Sequence, residues 1–136
     1  MRATNPYASA LFAALIAGAV FTAPTVSALE EDLFHYDSTD DLYRICATPA
    51  ESDFYMLASL ACRAFIQATI QYHDAVTDRN HLKPLVCYPQ GTTIEQARDA
   101  FVAWGQANAE NAELMGEPPV KGLVRALAAK YPCAKR

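Results

Sequence analysis

Four cysteines and three histidines are the side chains in this sequence whose chemistry depends most on spacing. Cys46, Cys62, Cys87 and Cys133 stand sixteen or more residues apart, whereas zinc sites favour cysteine pairs two to four residues apart. His35, His73 and His81 form no metalloprotease pattern. A Cys–His nucleophile is compatible with these residue types. An even cysteine count in a short exported chain, however, points to a disulfide framework. Four cysteines allow three connectivities. The pairing Cys46–Cys62 with Cys87–Cys133 is favoured. The first bond ties two consecutive helices. The second joins the start of a third helix to the end of a fourth, which are neighbours if those helices run antiparallel. In the chain-entropy picture, loops of these lengths are worth about 3 and about 4 kcal/mol. No acid–base pair, nucleophile motif, phosphate loop, cofactor fingerprint or metal set emerges, so no catalytic, cofactor-binding or metal residue is assigned.

Export is read from the first 28 residues. Arg2 supplies a positive start, Ala10 to Phe21 is apolar, Pro24 breaks the run, and Val26-Ser27-Ala28 offers the small residues of a cleavage site. The apolar run is well short of the roughly 20 residues that span a bilayer, so cleavage rather than stable membrane insertion is expected. The expected organisation is a signal peptide over 1–28 and one domain over 29–136, located in the periplasm. With 136 residues in all, there is room for one domain. The net charge of −4 argues against nucleic acid as a partner and provides no polybasic membrane anchor. Seven Tyr, six Phe and one Trp rule out a disordered tail.

The cysteines need elements to hold them, and the periodicity is helical throughout. Leu29 to Asp37 reads as a flexible acidic arm. Ser38 or Thr39 caps a short helix through Cys46, with Asp40 and Asp41 in its first turn. After the Pro49 loop, Ser52 or Asp53 caps the longest helix, which runs to about Ala75. Its wide apolar stripe of Phe54, Leu57, Ala61, Phe65, Ala68 and Tyr72 suggests a central helix touched by several others. Asp78 to Pro84 reads as a surface loop. Thr92 with Glu95 forms a capping box for the third helix, with Ile94, Ala97, Phe101 and Trp104 on one face and Glu95, Arg98 and Asp99 towards water. Pro118-Pro119 opens the fourth helix and Pro132 stops it. The fold class is all-α: a small bundle of about four helices stapled by two disulfides.

Four segments in order carry a resemblance: Leu42-Tyr43-Arg44-Ile45-Cys46, Ala61-Cys62-Arg63-Ala64-Phe65-Ile66-Gln67-Ala68, Cys87-Tyr88-Pro89-Gln90-Gly91-Thr92-Thr93 and Tyr131-Pro132-Cys133. Together they resemble the Rap/Tai family of immunity proteins, which stand beside type VI secretion effectors that are peptidoglycan amidases. Where that family often carries glycines four apart after the second cysteine, this chain has Ala64 and Ala68. The resemblance implies a non-catalytic periplasmic protein that binds an amidase toxin and occludes its cleft, and a homodimer.

Two segments are candidate toxin contacts on expected exposure: Asp78, Arg79, Asn80 and His81 in the loop after the long helix, and Leu114 with Met115 as an apolar pair in a polar stretch. The size and helical build also resemble those of a second class, the small periplasmic acid-stress chaperones.

Overall fold

In the computed structural model, which describes residues 35–134, Ser38 starts the first helix. Its hydroxyl accepts the Asp41 N–H, and the Asp41 carboxylate accepts both the Ser38 N–H and its O–H. This reciprocal cap opens α1 (Thr39–Cys46). Then come α2 (Tyr55–Asn80), α3 (Ile94–Asn108), the single turn α4 (Ala112–Met115) and α5 (Pro119–Lys130). The described residues form a helical bundle with no strand. The signal segment and most of the acidic arm lie outside the described residues.

The hub is formed by α1 and α3, not by the long helix: each packs on the other and on α2 and α5, whereas α2 packs chiefly on α1 and α3. Two glycines make this possible. The Tyr43 ring lies directly on the backbone at Gly105 of α3, and the Thr39 side chain lies on the backbone at Gly122 of α5, where a Cβ atom would collide with either. The Thr39 N–H and hydroxyl also donate to the Glu117 carbonyl, at 2.8 and 2.9 Å, so this buried threonine has its polar groups paired. Leu42, Ile45 and Cys46 of α1, Ile66 of α2, Phe101 of α3, and Leu123 and Leu127 of α5 close the core. Burial of such side chains is the main favourable term, at about 1.5–3 kcal/mol each.

The stripe expected on α2 is therefore largely displaced. Cys62 and Ile66 are its buried residues, while Met56, Leu57, Leu60 and Tyr72 stand exposed. A helix of 26 residues packed against the eight-residue α1 and one flank of α3 has more apolar surface than the bundle can cover. The helix also starts later and ends later than expected. Ser52 caps only a preceding turn, accepting the Phe54 N–H. At the other end Thr77 and Asn80 return their side chains to the His73, Asp74 and Val76 carbonyls. These bonds let polar residues continue the helix to Asn80, and His81 then stops it in the left-handed conformation.

Two further differences are local. The third helix is capped by Thr93 with Gln96, one residue beyond the expected box, because the Thr92 hydroxyl is spent on the Pro89 carbonyl. The segment between the third helix and Pro118, expected as a polar loop, contains α4, capped by Asn111. The disulfides are Cys46–Cys62, with Cα atoms 5.1 Å apart, and Cys87–Cys133, with Cα atoms 4.9 Å apart.

Candidate functional site

Residues 81–93 link the C-terminal end of α2 to the start of α3 across one end of the bundle. This connector carries the Cys-Tyr-Pro-Gln-Gly-Thr-Thr motif and is fastened at several points. The Cys87–Cys133 bond joins it to the chain end after α5, and the Cys87 N–H donates to the Tyr131 carbonyl at 2.9 Å. Thr92 closes the Pro89–Thr92 turn with both its N–H and its hydroxyl on the Pro89 carbonyl. Gly91 sits at φ +86°, a conformation that side-chain-bearing L residues rarely adopt.

A polar cluster fastens the same connector to α2. The Tyr88 hydroxyl donates to Asp74 Oδ2. His73 Nδ1 lies 3.0 Å from Asp74 Oδ1, and the Leu85 N–H donates to His73 Nε2 at 3.1 Å. An N–H directed at Nε2 assigns the ring proton to Nδ1. Burial, followed by the Asp74 carboxylate, pushes the Tyr88 phenol up to about 12. Phenol, carboxylate and imidazole in contact could suggest proton-transfer chemistry. Here each polar atom is committed to holding the connector, and the ring is mostly buried, so the cluster reads as a fastening.

Two grooves flank the connector. One, of about 630 Å³, runs between Pro89–Thr92, the Gln96–Ala103 face of α3, and Lys130 and Tyr131. The other, of about 530 Å³, lies between His81–Pro84 and the Cys87–Cys133 bond. Pro89, Gln90 and Gly91, which line the first, are exposed. Among the described residues no three of His, Cys, Asp and Glu converge as metal ligands, and no helix is long and apolar enough to cross a membrane.

The residues expected to contact a partner are dispersed. Asp78, Arg79 and Asn80 are exposed but form the last turn of α2 rather than a loop, and His81 borders the smaller groove. Met115, the last residue of α4, is buried and Leu114 is half-buried, so this pair closes the bundle instead of forming a projecting plug. Arg98, expected to face water, donates its Nε–H to the Cys46 carbonyl at 2.8 Å and links α3 to the end of α1. The Pro89–Thr92 turn was visible in the sequence as a helix lead-in, but nothing there marked it as a projection. Gly91 was the available signal, since a glycine between a proline and two threonines reads as a position needing positive φ.

Residues 38–133 fit the model of the family described as Rap1a immunity proteins. No curated protein and no solved structure matches the chain.

Proposed function

Because the chain belongs to the Rap1a immunity protein family, we propose that it is a periplasmic antidote that binds a peptidoglycan amidase delivered by type VI secretion and blocks its substrate cleft. Family membership makes it an immunity protein, a binder of a toxin. The observation that carries the finer reading is the stapled connector: an exposed turn held by a disulfide and hydrogen-bonded at both ends loses little freedom on binding, which favours tight stoichiometric inhibition. Both disulfides and the signal-like first 28 residues support an oxidising compartment. Inhibition of this kind needs a complementary surface and no reactive group, in keeping with a non-enzyme.

The outer face of α2 supports the homodimer that the family resemblance implies. Met56, Leu57 and Leu60 stand near one end, Tyr72 near the other, and Ala64 and Ala68 between them. A second copy laid antiparallel about Ala64 would set each apolar end against the other's. Light scattering of the mature domain would read twice the monomer mass, returning to one on Leu60→Asp.

The functional reading is tested by titrating the mature domain into the protein encoded by the adjacent gene, while following release from purified peptidoglycan. One-to-one binding that abolishes cleavage is the expected result. A bound partner that cleaves no peptidoglycan, or cleavage that continues at saturating protein, rejects the amidase reading.

A further inference from the structure

A disulfide lines the smaller of the two grooves. Cys87 is exposed and Cys133 half-buried, and both border this space of about 530 Å³ together with Leu82, Lys83 and Pro84. Cys46 and Cys62, by contrast, are both 0% exposed, so no reagent meets their sulfurs while the bundle stands. The surroundings of the exposed bond suit a second protein. Leu82, at 54% exposed, and Leu85, at 62%, are large apolar side chains left bare just before Cys87 in the chain. Lys83 is exposed on the same groove and pairs with no acid among the described residues. A cation beside reacting sulfurs favours the thiolate, which is the form that attacks.

The fold is also prepared for this bond to open. The Cys87 N–H on the Tyr131 carbonyl, the Tyr88 hydroxyl on Asp74 and the Leu85 N–H on His73 hold the connector without it. Cys133 Sγ lies 3.4 Å from the Pro84 carbonyl oxygen, so a Cys133 thiol has an acceptor already in place. Opening therefore frees one surface link and leaves the core standing. We propose that the Cys87–Cys133 bond is the substrate site of a dithiol oxidoreductase of the thioredoxin type, which seats its thiolate in this groove. The thiolate attacks Cys87 Sγ, on the more exposed of the two residues. The S–S bond breaks, its electron pair leaves on the Cys133 sulfur, which takes up a proton, and a mixed disulfide joins Cys87 to the enzyme. The enzyme's second thiolate then attacks its own first sulfur and expels the Cys87 thiolate, which is protonated in turn. Two electrons thus pass from the dithiol to the Cys87–Cys133 bond, and the same steps in reverse close it. This chemistry does not depend on which toxin the protein binds.

The test exposes full-length mature protein, oxidised and without denaturant, to a reduced thioredoxin, and maps alkylated cysteines by mass spectrometry against time. Cys87 and Cys133 should become alkylated about 100-fold faster than Cys46 and Cys62, with the helical circular dichroism unchanged. A thioredoxin lacking its second cysteine should be trapped on Cys87. Leu82→Asp alters an exposed side chain and should slow reduction by thioredoxin about tenfold, yet leave reduction by dithiothreitol within about twofold, which separates recognition from bare access. Lys83→Glu should slow both reductants by about threefold. Four thiols appearing together would mean that the bond opens only with the whole bundle, and would overturn the proposal. So would a Cys87–Cys133 bond that resists thioredoxin in the folded protein and yields to dithiothreitol only in urea. Equal thioredoxin rates for the parent and Leu82→Asp would remove the groove as the docking site.

Discussion

The two disulfides stand in opposite surroundings. Cys46 and Cys62 are fully buried and lie among Leu42, Ile66 and Phe101, where they hold α1 against α2. Cys87 is exposed and Cys133 half-buried, where the connector meets the chain end after α5. The first bond compensates for a core that α2 enters with only two buried residues. The second gives a surface segment a fixed shape. One chemical group thus serves cohesion at one site and presentation at the other, and burial decides which.

Four substitutions or titrations can break or sharpen that contrast. The largest effect is expected from Cys46→Ala with Cys62→Ala, which removes the crosslink and leaves voids in the core. A loss of about 4–5 kcal/mol should follow, read as a fall of roughly 15 °C or more in thermal melts by circular dichroism. Next is Cys87→Ser with Cys133→Ser. Chain entropy alone ranks this bond higher, at about 4 kcal/mol, because its loop is longer. The contrast in burial predicts the reverse order: about 2 kcal/mol lost, with inhibition falling far more than stability. Equal losses from both pairs would erase the distinction.

Smaller effects should separate the two regions by pH. The Ser38 hydroxyl holds the Asp41 carboxyl below its usual 3.8. A lowered folded value contributes stability above the usual one, and that contribution is lost as pH falls through the lowered value. Ser38→Ala should cost about 1 kcal/mol at neutral pH and progressively less below pH 4, measured by urea denaturation. At the connector, the raised Tyr88 phenol works in the other direction. Its contribution is complete below the ordinary 10 and is lost as pH rises through about 12. Absorbance at 295 nm should show a tyrosine ionising near 12 that disappears in Tyr88→Phe.

The helices were legible because their signals are local. Ser38 with Asp41, Pro118-Pro119 and the apolar steps of α5 each act within a few residues. The central place of α1 was not legible. An eight-residue helix carries little periodicity, and what makes α1 central is the pair of glycines, Gly105 and Gly122, that admit Tyr43 and Thr39 from far along the chain. The apolar steps on α2 are real, but periodicity cannot tell a face that meets the core from one left bare by a small bundle. The capping box expected at Thr92 with Glu95 falls instead at Thr93 with Gln96, because the Pro89–Thr92 turn, a contact outside the capping pattern, takes the Thr92 hydroxyl. The loop expected at Asp78 to Pro84 came from taking polarity for loop: Asn80 and Thr77 satisfy backbone carbonyls and extend the helix instead.

The hydrogen bond from Thr39 to the Glu117 carbonyl joins residues 78 positions apart in the chain. It also sets an order of events. The first described helix to leave the ribosome is the last to find its seat, because α5 supplies that seat and is made last. Until then α1 has only α2 and α3 to lean on, and closing so long a loop early is entropically unfavourable. A chain built this way stays open along most of its synthesis. Cys133 follows α5, so the Cys87–Cys133 pair also closes only when nearly all of the sequence is present.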